Sequence, residues 1–278
     1  MKFFFLILMN CAISSLCFSQ ATLGHLTGYT GDLKARNNQI GSATLLDVSG
    51  HLFMVTAKHV LQGWHDKPIS YTFYKTGKSN DTGNTIEILL DGSSLNQYVY
   101  FSDSSDIAVI HIGFPSGDST GQYELYNIAR YSSKVPAAIF HENEIWPVSQ
   151  LGLGIDVYTL GLPSESERSN QTSVSLVSGI TSGFYPDGTF KCQLPVYGGN
   201  SGGPVFAYSS YGPSNYNEGG IFLGGNSIYL LGIITEFVPS IDGAKSPRGN
   251  AIFLTTNSGF AKAEPIDRVM KLIKSKIF

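Results

Sequence analysis

Residues 198–205 read Gly198-Gly199-Asn200-Ser201-Gly202-Gly203-Pro204-Val205, and this stretch is the most informative part of the chain. A serine becomes an effective nucleophile when a neighbouring base takes its proton and N–H groups stabilise the oxyanion that forms. Glycines beside Ser201 allow backbone N–H groups to approach a substrate, because glycine has no Cβ. Ordinary surface turns have a similar composition, so the motif alone is compatible with a nucleophile or with a simple turn.

The histidines of the chain restrict the chemistry that Ser201 can support. The pattern Gly-x-Ser-x-Gly also marks the nucleophile of α/β-hydrolases, in which an acid and then a histidine follow the serine. All histidines here precede Ser201, namely His25, His51, His59, His65, His111 and His141. The order of the residues therefore excludes an α/β-hydrolase triad.

Two apolar segments upstream of Ser201 carry residues that suit a catalytic role. The segment 53–60 runs as an apolar strand into His59, and Asp106 stands at the start of the apolar run Ile107–Ile112. Taken singly, such a histidine or aspartate is usually structural. The sequence order His59, Asp106, Ser201 is nevertheless that of the chymotrypsin-type triad, and this conjunction favours catalysis.

Other catalytic classes fit the sequence less well. The subtilisin order needs an acid before the histidine, and both Asp32 and Asp47 are predicted to lie in turns. The segment 141–144 does not complete the His-Glu-x-x-His motif of metalloproteases. Cys192 is predicted to be a small buried side chain rather than a nucleophile. We therefore predict no metal and no cofactor.

The composition indicates a globular β-protein rather than a nucleic-acid or membrane-surface binder. The chain has 278 residues, of which 14% are charged and 12% aromatic, with 31 glycines. An average soluble domain contains about 25% charged residues. The formal net charge is −3, so no basic footprint for nucleic acid or an anionic membrane is present.

Strand-like runs bounded by Gly, Asn, Asp, Ser and Pro recur along the chain and predict an all-β fold. They are 43–46, 51–56, 70–74, 85–90, 98–101, 107–112, 137–140, 156–160, 173–177, 203–207, 229–235 and 251–254. One helix is predicted over 265–277, with Pro265 in its first turn. A unit boundary is placed near 130–136, and residues 208–226 are interpreted as a long surface loop.

The first 19 residues resemble a targeting signal. Lys2 precedes an apolar stretch, and Cys17 and Ser19 are small residues at the −3 and −1 positions of a cleavage site before Gln20. Polar residues in the stretch argue against a membrane anchor, and a lipoprotein signal is less well matched. We therefore predict a secreted or periplasmic protein without stable membrane insertion after cleavage, in which Cys192 is the remaining cysteine and no internal disulfide forms.

Taken together, the three motifs resemble those of the trypsin-like serine proteases with the chymotrypsin fold. Residues 56–60 are similar to the family's Thr-Ala-x-His segment, 106–109 to Asp-Ile-Ala-Leu, and 199–204 to Gly-Asp-Ser-Gly-Gly-Pro. Segments 161–163, 177–182 and 259–267 resemble the bacterial exported HtrA-type and glutamyl-endopeptidase branch, without a PDZ domain.

The resemblance implies two antiparallel six-stranded β-barrels followed by a C-terminal helix. The predicted organisation is a signal peptide at 1–19, an N-terminal barrel at 20–135 and a C-terminal barrel at 136–278. The implied roles are Ser201 as nucleophile, His59 as general base and then acid, and Asp106 as the group that orients His59. The backbone N–H groups of Gly199 and Ser201 would form the oxyanion hole.

Departures from the family pattern bear on activation and specificity. Asn200 replaces the aspartate that pairs with a new N-terminus in animal digestive members, and Val60 replaces a half-cystine. Pro195 occupies the implied floor of the specificity pocket, so the acid that selects Arg or Lys is absent. The segment Thr235-Glu236-Phe237 resembles the strand that pairs with substrate. We expect an uncharged side chain before the scissile bond.

The sequence therefore predicts a secreted serine endopeptidase whose partner is a protein or peptide substrate. The alternative is a catalytically weak or inactive protease-fold binding protein, with its cleft blocked by 208–226 or by an insertion at 237–258. The order of His59, Asp106 and Ser201 along the chain and the intact glycine turn around Ser201 favour the active peptidase. No oligomeric state is predicted.

Overall fold

The computed structural model describes residues 26–35, 38–64, 68–73, 84–88, 95–115, 123–131, 138–161, 174–209, 227–245 and 251–278. The predicted signal segment 1–19 lies outside them. The described strands are β1 Gly31–Ala35, β2 Asn38–Val48, β3 His51–Ala57, β4 Ile69–Phe73, β5 Asn84–Ile88, β6 Val99–Phe101, β7 Ile107–Pro115, β8 Tyr123–Leu125, β9 Ala129–Tyr131, β10 Phe140–His141, β11 Asp156–Gly161, β12 Ser175–Phe184, β13 Phe190–Gln193, β14 Pro204–Ser209, β15 Ser227–Lys245 and β16 Ala251–Pro265. The described α-helices are α1 Lys58–Gln62, α2 Leu95–Tyr98 and α3 Ile266–Ile277. The predicted all-β class is confirmed.

The C-terminal unit is a closed six-stranded barrel, as expected. Its strands follow the order β11-β12-β13-β16-β15-β14, and β14 pairs with β11 to complete the ring. All its neighbouring strands run antiparallel. Closure pairs every edge strand, which leaves no open edge in this barrel.

The N-terminal unit has a different strand count from the six that were expected. Its sheet contains ten strands in the described residues, in the order β6-β7-β3-β2-β1-β4-β5-β9 with β8 attached to β7 and β10 to β2. β10 lies beyond the predicted unit boundary at 136 but pairs with this sheet. The long strand β2 belongs to two sets of strands, because its first half pairs with β1 and its second half with β3. Apart from the parallel pairing of β10 with β2, the described pairings thus form two antiparallel groups joined through β2 rather than a simple six-stranded ring.

Several local predictions need correction. Four strands were not predicted, namely β1, β8, β9 and β13. The helices α1 and α2 were not predicted either, because they are too short to show a helical pattern in the sequence. Within the insertion expected at 237–258, the described residues are strands, because β15 and β16 stay paired from Phe237 with Ala261 to Lys245 with Ala251. Most of the expected loop 208–226 lies outside the described residues.

Strand β3 is buried on both faces and joins the two units. Its side chains alternate, so that Phe53 and Val55 pack with the C-terminal barrel. Leu52 and Met54 pack instead inside the N-terminal sheet. All four side chains are at most 1% exposed. Because successive residues of a strand point to opposite faces, a continuous apolar run is what a strand between two cores requires.

The C-terminal helix is confirmed, with Pro265 as its N-cap residue. Its buried face packs on the barrel core through Ile266, Val269, Met270, Leu272 and Ile273.

Cys192, in β13, is a buried free cysteine, and burial raises the pKa of its thiol to about 12. Within the described residues, no helix combines the length and apolarity needed to cross a membrane.

Candidate active site

His59 lies in the first turn of α1, directly after the buried strand β3. Ala57 ends the strand in an extended conformation, and α1 begins at Lys58. The backbone N–H of Lys58 donates to the carbonyl of Asp106 at 3.1 Å. The Lys58 ammonium donates to the carbonyl of Ser102 at 2.7 Å. These bonds fix the turn that carries the imidazole against the segment that carries the acid.

His59 and Asp106 form a two-point contact. Nδ1 of His59 lies 2.7 Å from Oδ2 of Asp106, and the backbone N–H of His59 donates to Oδ1 at 2.9 Å. The two side chains are 51% and 35% exposed. A carboxylate bound to Nδ1 selects the tautomer in which Nε2 is free to accept a proton.

The contact changes the pKa of both groups. The hydrogen bond from Asp106 is the largest influence on His59 and raises its pKa, against a smaller opposing effect of burial. Glu236 also raises the pKa of His59. For Asp106, burial is the largest single influence and acts upward, but the hydrogen bonds and charge of His59, together with the backbone N–H of Lys58, outweigh it and lower the pKa. The pair is therefore stabilised as carboxylate and imidazolium, the charge state that a general base reaches during proton transfer.

Ser201 lies in a tight turn between β13 and β14. Gly199 and Gly202 adopt φ values of 95° and 90°, which L-residues with side chains rarely adopt. Gly202 donates to the carbonyl of Ile234 at 2.7 Å, and Ile234 donates back to the carbonyl of Gly203 at 2.9 Å. Two reciprocal backbone bonds thus attach the turn to β15.

A second set of bonds attaches the same turn to the N-terminal sheet. The backbone N–H of Ser42 donates to the carbonyl of Ser201 at 2.8 Å, and its hydroxyl donates to the carbonyl of Gly199 at 2.7 Å. The Thr44 hydroxyl donates to the carbonyl of Gly202 at 3.3 Å. Ser42 and Thr44 are both fully buried. The turn is therefore fastened from both units.

Packing at Gly202 is close enough to exclude a side chain. A Cβ at this position would lie 1.9 Å from the carbonyl oxygen of Ser42 and 2.3 Å from the hydroxyl of Thr56. The Thr56 hydroxyl in turn donates to that Ser42 carbonyl at 2.8 Å. The glycine after Ser201 is thus required both by its φ value and by its contact with β2 and β3.

The predicted triad residues line one cleft of about 320 Å³, open to solvent. Its walls are formed by His59, Asp106, Val196, Tyr197, Gly198, Ser201, Ile234, Thr235, Glu236 and Phe237. The Ser201 hydroxyl donates a long hydrogen bond of 3.4 Å to the carbonyl of Thr235. Among the described residues, no hydrogen bond joins Ser201 to His59. Catalytic hydrogen bonds are often long or absent before substrate binds, so this geometry is compatible with activity.

The predicted oxyanion-hole residues differ from their neighbours in hydrogen bonding. The N–H of Asn200 donates to the carbonyl of Tyr197 at 3.1 Å, and that of Gly202 is bound to β15. In the described part of the chain, the N–H groups of Gly199 and Ser201 have no acceptor. Two unused donors beside the candidate nucleophile are what an oxyanion site requires.

The remaining predicted site residues divide into two groups. Thr235, Glu236 and Phe237 line the cleft, whereas Pro195 is exposed and lies outside its walls. The next two residues, Val196 and Tyr197, line the cleft instead.

Asp32 and Asp47, expected in turns, lie in β1 and β2. Asp32 forms an ion pair with Lys34 at 3.1 Å. Asp47 accepts hydrogen bonds from Tyr123 and from the backbone N–H of Gly50 in the turn after β2, so its carboxylate does contact a turn. No group of three or more His, Cys, Asp or Glu side chains suited to a metal ion occurs in the described ranges.

A comparison with protein families matches residues 41–211 to the trypsin-like peptidase domain. This match covers more than half of the chain. The chain belongs to the trypsin-like peptidase family. The prediction of a trypsin-like serine peptidase is thus confirmed at the level of the family, and the cleft described above is the candidate active site of a trypsin-like peptidase.

A solved structure has the same fold. The HtrA-type protease AlgW, as a serine-to-alanine variant with a tripeptide, matches 92% of this trypsin-like chain with a TM-score of 0.50 and 16% sequence identity. A second AlgW structure with tripeptide matches 91% with a TM-score of 0.49 and 15% identity. This chain covers 63% and 61% of the length of those two proteins. No curated protein matches the sequence.

Two residues of the site were missed by sequence reasoning. Ser42 holds the nucleophile turn, and Glu264, at the end of β16, accepts a hydrogen bond from the backbone N–H of Asp106 at 3.1 Å. Ser42 lies in no motif of the family, Glu264 lies within the HtrA-like segment 259–267 but was given no role there, and both act on residues more than 150 positions away. Only the folded chain brings them to the site.

Proposed function

We propose that this trypsin-like chain is a serine endopeptidase that acts after export and cleaves peptide bonds through an acyl-enzyme intermediate. The observation that carries the proposal is the His59–Asp106 pair facing the same cleft as Ser201. The family match supports the reaction class, and the fastening of the turn from both units supports a preorganised site.

In the proposed reaction, Ser201 Oγ attacks the scissile carbonyl carbon while Nε2 of His59 takes its proton. Asp106 keeps His59 in the reactive tautomer and stabilises the imidazolium. The N–H groups of Gly199 and Ser201 stabilise the oxyanion. His59 then protonates the leaving amine, and a water molecule activated by His59 hydrolyses the acyl-enzyme.

The proposed substrate is a protein or peptide with an uncharged side chain before the scissile bond. Val196, Tyr197 and Phe237 supply apolar surface to the cleft, and none of the described residues that line it is a lysine or arginine. Among the described residues of the wall, Glu236 is the one acid besides Asp106, and its charge raises the pKa of His59. Thr235 to Phe237 would pair with the substrate backbone, while Pro195 remains the family-based candidate for the pocket floor.

We further propose a signal peptide at 1–19, followed by units at 20–135 and 136–278, in a secreted or periplasmic protein. The sequence cues at Lys2, Cys17 and Ser19 support the cleavage site. N-terminal sequencing of protein recovered from the exported fraction tests this part, and we expect it to begin at Gln20. An uncleaved N-terminus in that fraction would contradict the proposal.

Labelling by a fluorophosphonate tests the catalytic role of Ser201. We expect the wild-type chain to be labelled and Ser201→Ala to remain unlabelled, because the probe captures an activated serine. Ser209→Ala, at the far end of β14, is the control and should be labelled like wild type. Equal labelling of wild type and Ser201→Ala would overturn the assignment, as would the absence of labelling in both.

The second candidate is a protease-fold binding protein with little or no turnover. The hydrogen bond from Ser201 to Thr235, rather than to His59, is the observation that favours it. A binding protein would retain a bound peptide uncleaved, and its affinity would survive Ser201→Ala. Steady cleavage of a peptide library by the wild type, abolished by Ser201→Ala, would exclude this candidate.

A further inference from the structure

Glu264 is a buried acid that the proposed reaction does not use. It lies near the end of β16, and its side chain is 6% exposed. Its Oε1 accepts a hydrogen bond from the backbone N–H of Asp106 at 3.1 Å. This bond crosses from the C-terminal barrel to the segment that carries the candidate acid of the triad.

The other polar groups of Asp106 are bound from its own unit. Its carbonyl accepts from Lys58, and its two carboxylate oxygens accept from the backbone and the imidazole of His59. Among the described residues, Glu264 is the only hydrogen-bond partner of Asp106 that belongs to the barrel. It therefore fixes the position of the acid relative to the strand that carries Thr235.

Glu264 is itself held in place. Arg268, four residues further on and in α3, donates from its guanidinium to Oε2 of Glu264 at 2.6 Å. A second guanidinium nitrogen of Arg268 donates to the carbonyl of Asp187. A buried carboxylate with a charged partner and a second hydrogen bond satisfies the usual requirement for burial of a charge. Its geometry is thus set by α3 and by the turn at Asp187.

We propose that Glu264 is a positioning residue that holds Asp106, and through it His59, in register with the nucleophile turn. This inference rests on the proposed function, in which Asp106 orients His59. The Glu264 carboxylate touches no substrate; it restrains the peptide unit from which the Asp106 side chain projects.

The effect of Glu264 should be visible in the titration of His59. The charged groups that face His59 are Asp106 and Glu236, and the hydrogen bond to Asp106 is the larger influence on its pKa. A displaced Asp106 would bind the imidazolium less well, and the pKa of His59 would fall. Since His59 must be neutral to act as a base, the acidic limb of the pH–rate profile would move to lower pH.

The test compares Glu264→Met, which keeps the volume without an acceptor, with Glu264→Gln, which keeps an oxygen acceptor. For Glu264→Met we expect kcat/KM to fall about tenfold with KM unchanged, since one hydrogen bond to a charged group is lost. For Glu264→Gln we expect a loss of less than about threefold. NMR titration of the His59 imidazole should show a lower pKa in Glu264→Met than in the wild type.

Glu142→Ala is the matched control. Glu142 also ties α3 to another part of the chain, through an ion pair with Lys274 at 2.7 Å, but it lies away from the cleft. We expect its pH profile and its His59 titration to match those of the wild type. The same loss in Glu142→Ala would mean that helix docking causes the effect, and would overturn the proposal.

Folding and proposed function are separated by the choice of readouts. Far-UV circular dichroism checks that each variant is folded, and Arg268→Gln offers a second variant in which Glu264 remains but loses its anchor. That variant should lower the His59 pKa by less than Glu264→Met does. An unchanged His59 pKa in folded Glu264→Met or, if that variant does not fold, in Arg268→Gln, would overturn the inference. The NMR titration needs no turnover, so it remains decisive if the wild-type chain proves inactive.

Discussion

The two sides of the cleft are fastened to the molecule by different kinds of contact. On the nucleophile side, neutral hydroxyls of Ser42 and Thr44 and the bare Cα of Gly202 lock the turn against β2. On the acid–base side, Asp106 is held by His59 and by Glu264, which in turn is bound to Arg268. Each side is braced by a residue of the opposite unit.

The two sides therefore depend on different physical properties: the nucleophile side depends on neutral hydrogen bonds and close packing, and the acid–base side depends on charge. The contacts of the turn involve no titratable group, so they do not depend on pH, and salt affects them little. The acid–base side consists of charged partners whose pKa values depend on one another. Changes to the turn should therefore lower activity uniformly across pH, whereas changes to the acid–base side should alter the shape of the pH profile.

Replacing Asp106 should have the largest effect. In Asp106→Asn, the imidazole loses the carboxylate that selects its tautomer, and we expect kcat to fall on the order of 10⁴-fold near neutral pH, as in triad enzymes generally. The pKa of His59 should fall, because Asp106 is what raises it most. A pH–rate profile and an NMR titration measure both effects.

Asp103→Asn serves as the control for this substitution. Asp103 is an exposed acid in the same segment and makes no contact with His59. Its profile should match that of the wild type. If the pKa of His59 stays unchanged in Asp106→Asn, the claim that charge on the acid–base side controls the pH profile is wrong.

Gly202→Ala should be the next most damaging change. The new Cβ meets backbone at 1.9 Å in a conformation with φ near 90°, so the turn must move. We expect a loss of stability of about 3 kcal/mol from strain and overlap. Displacement of Ser201 should lower the rate of fluorophosphonate labelling on the order of 100-fold, equally at all pH values.

Gly63→Ala is the matched control, because no heavy atom lies within 4 Å of the Cβ it would add. Thermal unfolding and labelling should be close to those of the wild type. If Gly202→Ala labels as fast as Gly63→Ala, the close packing of the turn on β2 has no functional role.

Ser42→Ala should have the smallest effect of the three. It removes one hydroxyl and leaves the carbonyl of Gly199 without that donor, which costs about 1.4 kcal/mol and corresponds to about a tenfold loss in kcat. KM should be unchanged, since Ser42 does not line the cleft. Steady-state kinetics at several pH values measure the loss.

Ser275→Ala removes a similar bond, from a hydroxyl to the carbonyl of Leu272, at the far end of α3. It should leave the kinetics unchanged. If the loss of kcat in Ser42→Ala varies with pH, the claim that the nucleophile turn is held only by neutral groups is wrong.

The sequence alone predicted the features that are encoded in short segments, such as the three triad motifs and their order along the chain. Ser201 with its glycines, His59 after an apolar strand and Asp106 before another strand were each ambiguous, but their order indicated the family that the comparison confirms. The helix after Pro265 was predicted because capping and apolar spacing are local signals.

The features that escaped prediction depend on contacts distant in sequence. β1 carries Asp32, which was predicted to lie in a turn, yet Asp32 pairs with Lys34 and the strand lies between β2 and β4. Glu264 reads as an ordinary charge before a proline until the barrel closes and brings it to Asp106. Tertiary pairing overrides local propensity in both cases.

The two-faced burial of β3 restricts how the molecule can move. Phe53 and Val55 belong to the barrel core, while Leu52 and Met54 belong to the sheet core. A hinge rotation that separated the units would expose apolar surface, at about 25 cal/mol per Å². We therefore expect both halves to unfold in a single cooperative transition, and substrate to enter an already assembled cleft rather than one that opens by rotation of the halves.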